Sequence, residues 1–76
     1  VPKGYAVKMI LYAKHRTIVP NLSQIPHIVD VPVEGVILNP SDPICTVLTT
    51  GKEREDTIAK AMAIASRVYR SLQLTI

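Results

Sequence analysis

The chain has 76 residues, 47% of them apolar and 20% charged, with a net charge of +3. That length excludes a complete two-domain enzyme, and the apolar content excludes a disordered tail, whose few hydrophobic side chains could not offset the entropy of ordering. Nine basic against six acidic residues is a mild imbalance, thinner than the dense basic patch of most nucleic-acid binders.

A chain this short buries only roughly 60% of the surface its unfolded form exposes, so marginal stability is expected. With neither tryptophan nor phenylalanine, the core must be aliphatic, and Tyr5, Tyr12 and Tyr69 are its only aromatic material. The single cysteine, Cys45, has no internal disulfide partner, whereas small secreted domains usually carry several bridges. A reducing compartment, the cytoplasm, is therefore expected. No run of 18 or more apolar residues and no signal-peptide pattern is present, so membrane insertion is not expected. Val1 in place of a starting methionine is read as processing or as a chain cut from something longer, and the second is the expectation.

Residues 6–14 read as a strand. Val7, Met9, Leu11 and Ala13 form one apolar set at period two, and Lys8, Ile10, Tyr12 and Lys14 form a mixed set facing the other way. A turn at His15, Arg16 and Thr17 should follow, then a short return strand over residues 17–19 that Pro20 stops by removing a backbone donor. Five of the six prolines fall between Pro20 and Pro43, which forbids a long helix there. Short apolar runs at Ile28 and Val29 and at Val36, Ile37 and Leu38 are then short strands. Val33 to Val36 around Gly35, and Asn39 to Pro43, are turn signals. Residues 44–50, rich in β-branched side chains and apolar on both faces, read as a central strand.

After Gly51 the period changes. Ile58, Ala61, Met62, Ala65, Val68, Tyr69 and Leu72 fall along one face of an amphipathic helix of about 20 residues, roughly 30 Å long. Thr50 and Glu53 have the spacing of a capping box, and residues 73–76 read as a trailing end. The expected fold is α+β: a small, mainly antiparallel sheet or half-barrel of short strands with one long C-terminal helix packed on it. Residues 1–76 form a single domain in this reading.

Several groupings carry chemically useful residue types, and each has a simpler structural explanation. Glu53, Glu55 and Asp56 could serve acid–base chemistry or a divalent cation. Acids in a first turn, with Arg67 and Arg70 in the last, are also what the helix dipole favours, and Asp56 with Lys60 adds an i,i+4 pair. His15, His27, Asp30 and Cys45 are metal-ligand types without the short spacing that presents two ligands from one element. Ser23, His27 and Asp30 resemble a hydrolase trio only in composition, because a turn-rich stretch cannot be assumed to hold them in register and no oxyanion-hole segment accompanies them. Gly4, Gly35 and Gly51 are isolated and form no phosphate loop. Cys45 reads as a small buried hydrophobe, and Lys60, Arg67 and Arg70 as a solvated helix face. Ile64 interrupts that face and, with Ala63, marks a spot where another part of a larger protein could dock.

Three segments together resemble the C-terminal region of ATP-grasp ligases: residues 4–14 from Gly4 and Tyr5 to Ala13 and Lys14; Val29, Asp30, Val31 and Pro32 running into Gly35; and residues 42–58 from Asp42 and Pro43 through Gly51, Arg54 and Glu55 to Ile58. The likeness covers nearly the whole chain. Its ending of strand, glycine, Arg54 with Glu55, and long helix is similar to the C-terminal domains of biotin carboxylases and purine-synthesis ligases. Within the superfamily the ordering looks most like ATP-grasp proteins of C1-carrier coenzyme biosynthesis, of the tyramine-glutamate ligase type. The resemblance implies a parent enzyme that uses ATP and Mg to activate a carboxylate as an acyl phosphate and pass it to an amine. It implies that the partner of this domain is the remainder of its own chain, at the border of the catalytic cleft or at a subunit contact that would make a homodimer. The phosphate-gripping and Mg-binding motifs of such enzymes lie in their central domains and match no segment here, so no catalytic, cofactor-binding or metal residue is carried over. The rival from another class is a stand-alone module using the basic helix face for nucleic acid or an acidic protein.

Overall fold

A computed structural model describes residues 4–74. Its longest ladder joins β1 (Tyr5–Tyr12) antiparallel to β5 (Pro43–Gly51), in register from Tyr5 opposite Gly51 to Leu11 opposite Cys45, with an irregularity before Tyr12 meets Pro43. On the other edge of β5, Ile28 and Val29 of β3 (Ile28–Val29) pair with Val47 and Thr46. β5 is thus the central strand of the sheet β1-β5-β3, as its apolar run on both faces implies. Val7, Met9 and Leu11 stand on the same face as Thr49, Val47 and Cys45, opposite which the ladder sets them.

The short return strand differs from expectation in its partners. β2 (Thr17–Ile18) does not fold back along β1. It is the middle strand of a second sheet, between β4 (Ile37–Leu38) and β6 (Gln73–Leu74). The nine-residue β5 offers β1 a continuous ladder, while a strand stopped by Pro20 offers few bonds, so β1 pairs with the longer partner. β2 continues past its assigned end through main-chain bonds, Val19 N–H to the Val36 carbonyl and Gly35 N–H to the Val19 carbonyl, both 2.8 Å. Gly35 sits at φ 93° in the intervening turn, a conformation that strains any residue with a Cβ. Residues 73 and 74, expected as part of a trailing end, pair with β2 instead. Two residues with no periodicity carry no strand signal until a partner exists. Residues 75 and 76 lie outside the described residues.

The helix α1 (Arg54–Ser71) has 18 residues and no side-chain cap. Its N-cap is Glu53. Thr50, expected to cap it, lies within β5, whose ladder still holds Gly51 opposite Tyr5. The buried stripe is Thr57, Ala61, Ile64, Ala65 and Val68, which shares Ala61, Ala65 and Val68 with the expected face. Met62, expected inside, is 59% exposed, and Ile64, expected on the outer face, is 8% exposed. At about 100° per residue, the stripe is centred near Ala61 and Val68, which leaves Met62 nearly a third of a turn from that centre. The displacement is possible because Thr57 can be buried at no polar cost. Its hydroxyl donates to the Glu53 carbonyl at 2.7 Å, and its own carbonyl accepts the Thr49 hydroxyl at 2.9 Å.

The core joins Leu11, Ile44, Cys45 and Val47 of the large sheet to the helix stripe, and extends through Val19, Leu22, Ile25 and Leu38 under the proline-rich middle. The tyrosines are not its anchors. Tyr5 and Tyr12 are each half exposed, and Tyr69 packs at the margin, where its hydroxyl donates to the Tyr12 carbonyl at 2.9 Å. An aromatic with a polar tip is placed at an edge more cheaply than in an aliphatic layer. Among the described residues no helix is long and apolar enough to cross a membrane.

Candidate functional site

The residues singled out for chemistry are dispersed by the fold. Ser23 is exposed, with its N–H turned to Asn21 Oδ1 at 2.9 Å in a local turn. His27 and Asp30 flank the two-residue β3 with left-handed backbones, φ 64° and 55°. Both are exposed, and no hydrogen bond joins the three side chains. A base and nucleophile that must share a proton need direct or near-direct contact, which this arrangement does not supply. Among the described residues no three His, Cys, Asp or Glu side chains converge as a metal site. Glu53, Glu55 and Asp56 are exposed at the helix start, Glu55 and Asp56 in the first turn, with Arg70 the basic residue of the last. Arg67 lies just before that turn.

Cys45 is 2% exposed in β5 and makes no disulfide. Desolvation by burial pushes its thiol above the ordinary value, away from the thiolate a nucleophile needs. Its role is packing, in the layer between sheet and helix. Beyond the end of β1, Lys14 stands 4.9 Å from the centroid of the Tyr69 ring, a cation–π contact at an exposed margin.

One concave surface draws polar groups together from separate elements. His27 before β3, Thr50 of β5, and Lys60 and Arg67 of α1 border an open pocket of about 340 Å³, floored by Thr49, Ala63 and Ile64. Sequence reading places Lys60 and Arg67 on one helix face but gives no sign that His27 joins them. That link depends on β3 pairing with β5, with Leu48 N–H donating to the His27 carbonyl at 2.8 Å, and a two-residue strand has no periodicity to betray its partner. Ile64 is the floor of this pocket rather than an outward docking spot.

A second surface is apolar. On the face of the large sheet turned away from α1, Ile10 and Val29 both stand opposite Thr46, one on each side, and Leu48 follows two residues along β5. Ile10 is 46% exposed, Val29 41% and Leu48 40%. In the small sheet Ile18 and Ile37 are cross-strand partners, also both exposed. Comparison with protein-family models, with curated proteins and with solved structures finds no match to this chain.

Proposed function

We propose that this chain is a non-catalytic domain of an ATP-dependent carboxylate–amine ligase of the ATP-grasp type, packed against the catalytic core of its parent in the cytoplasm. Support comes from the segment resemblance and from one structural observation, the uncovered apolar face of the β1-β5-β3 sheet. A sheet with a helix on one face and Ile10, Val29 and Leu48 on the other is two layers of a three-layer arrangement. The shape agrees. The domain measures 46 × 18 × 17 Å with a radius of gyration of 13.3 Å. A compact chain of this length has roughly 11 Å.

The reading places no Mg-ATP site in this domain. Among the described residues no three His, Cys, Asp or Glu side chains gather at one point, and the three glycines are separated in sequence rather than gathered in a phosphate loop. In this reading ATP and Mg are held by the rest of the parent protein, and the role of this domain is to cover and position.

Two measurements test this. An immunoblot of the source with an antibody raised to the domain is expected to show a polypeptide on the order of 300 residues or more, room enough for the catalytic domains. A band at the size of this chain overturns the assignment. Calorimetry of the isolated chain with Mg-ATP is expected to show no micromolar binding, and such binding would place a nucleotide site within the domain after all.

A further inference from the structure

We propose that the pocket between β3, β5 and α1 binds a small organic phosphate, a monoester held by Lys60, Arg67 and His27 with its carbon body over Ala63 and Ile64. Nothing in the ligase reading requires this site, and it stands whether or not that reading does.

The charge of the pocket is one-sided. Lys60, Arg67 and His27 border it and no carboxylate does. The side chains of Lys60 and Arg67 form no ion pair or hydrogen bond among the described residues, so their charge is not spent within the domain. Concave walls of low dielectric concentrate the field of such groups more than a convex face does. Lys60 and Arg67 are seven residues apart, nearly two helical turns, so they lie on one face about 10.5 Å apart along the axis and reach the pocket from its two ends.

The remaining lining fits the same ligand. Thr50 borders the pocket from β5, but its side chain alternates onto the sheet face of Leu48, turned away from α1, so it supplies rim and no donor. Thr49 has its hydroxyl committed to the Thr57 carbonyl and serves as floor. Ala63 and Ile64 give an apolar base for a carbon skeleton. Arg forks match phosphate oxygens bidentately, and Lys adds a mobile point charge. A pocket of about 340 Å³ lies near the lower end of the range for small-molecule sites, roughly 300 to 1,000 Å³, which favours a short phosphorylated compound.

A nucleic-acid strand fits less well. Arg54 and Arg70, the other basic residues of the helix, do not border the pocket, so the basic residues do not form one continuous track. No aromatic side chain lines it to stack a base.

The test is a titration of the chain with glycerol 3-phosphate at constant ionic strength, followed by ¹⁵N–¹H NMR, with glycerol as the uncharged control. The spectrum reports fold and binding together. Saturating shifts at His27, Thr50, Lys60, Ala63 and Arg67 are expected, with a Kd on the order of 1 mM for a site this open. Lys60→Gln combined with Arg67→Gln should weaken binding by about tenfold or more, since charge-assisted bonds supply most of the affinity. Arg70→Gln should leave the Kd unchanged. If the double variant loses its folded spectrum, Lys60→Gln alone gives the same reading. Shifts that never saturate and spread over all basic residues overturn the site. So does a Kd that the double variant leaves unaltered, or binding of a single-stranded oligonucleotide where the monoester does not bind.

Discussion

β5 and β2 are both central strands of three-stranded sheets, yet they are held in different ways. β5 pairs along nearly its whole length with β1, and it is roofed by α1 on one face. β2 pairs through two residues on each side, with Thr17 turned inward opposite Leu38 and Ile18 turned outward opposite Ile37. Side-chain burial therefore holds the large sheet, whereas main-chain bonds and a few buried contacts at Thr17, Val19 and Leu38 hold the small one. The difference locates most of the stability in the large sheet, while both sheets keep exposed apolar side chains, Ile10, Val29 and Leu48 on one and Ile18 and Ile37 on the other.

Ile44→Ala should be the most damaging simple change. Ile44 is 1% exposed in β5, and truncating a buried isoleucine costs about 2–5 kcal/mol through lost transfer energy and the cavity left behind. A domain of this size has only roughly 4–11 kcal/mol in total. A large fall in the urea midpoint is expected, and a loss under about 1 kcal/mol would mean that β5 is not the seat of stability.

Gly51→Ala tests the junction of the large sheet with α1. A Cβ there would lie 2.5 Å from Thr57 Oγ1, the atom that donates to the Glu53 carbonyl at the helix start. Overpacking of this kind costs about 1–3 kcal/mol. In a Thr57→Ala background the obstruction is gone, so a double-mutant cycle should show clear coupling between the two positions. Additivity would show that the contact carries no energy.

Cys45 offers a pH reading of the same layer. Its folded-state thiol titrates above the ordinary value of 9.0 because burial disfavours the thiolate. The stability linked to that shift is fully present below the ordinary thiol value and is lost as pH rises through the folded one. Denaturation midpoints of the wild type should therefore fall faster above pH 9.0 than those of Cys45→Ala, with parallel behaviour at neutral pH. Parallel curves throughout would mean that water reaches the thiol.

Long, periodic elements were legible in the sequence and short ones were legible only as segments. The inward set Val7, Met9, Leu11 and Ala13, the central position of residues 44–50, the turn at Gly35 and the existence of the helix all follow from period and turn chemistry. Pairings of β2, β3 and β6 do not, because two residues cannot encode a partner and tertiary context chooses it. Hydrophobicity weighs Met62 above Thr57 and so turns the expected helix face the wrong way, and only the bonds to Thr49 and Glu53 reveal that a threonine is satisfied inside. The pocket inherits this difficulty. Lys60 and Arg67 are visible on the helix, whereas His27 reaches them through a pairing the sequence conceals.

The smallest effect is expected at Ile37→Thr in the small sheet. Ile37 is 48% exposed opposite Ile18, and threonine keeps the β-branched shape a strand favours, so the isolated chain should change by no more than about 0.5 kcal/mol. A loss above about 1 kcal/mol would show that this outward face is already packed within the chain, and would remove the contrast with β5. In a larger parent the same substitution has a second reading. If the small sheet docks on the catalytic core, the truncated contact is paid back there as weaker domain association, measured by limited proteolysis between the domains. Neutrality in the isolated chain together with faster cleavage in the parent would mark Ile18 and Ile37 as interface residues rather than core.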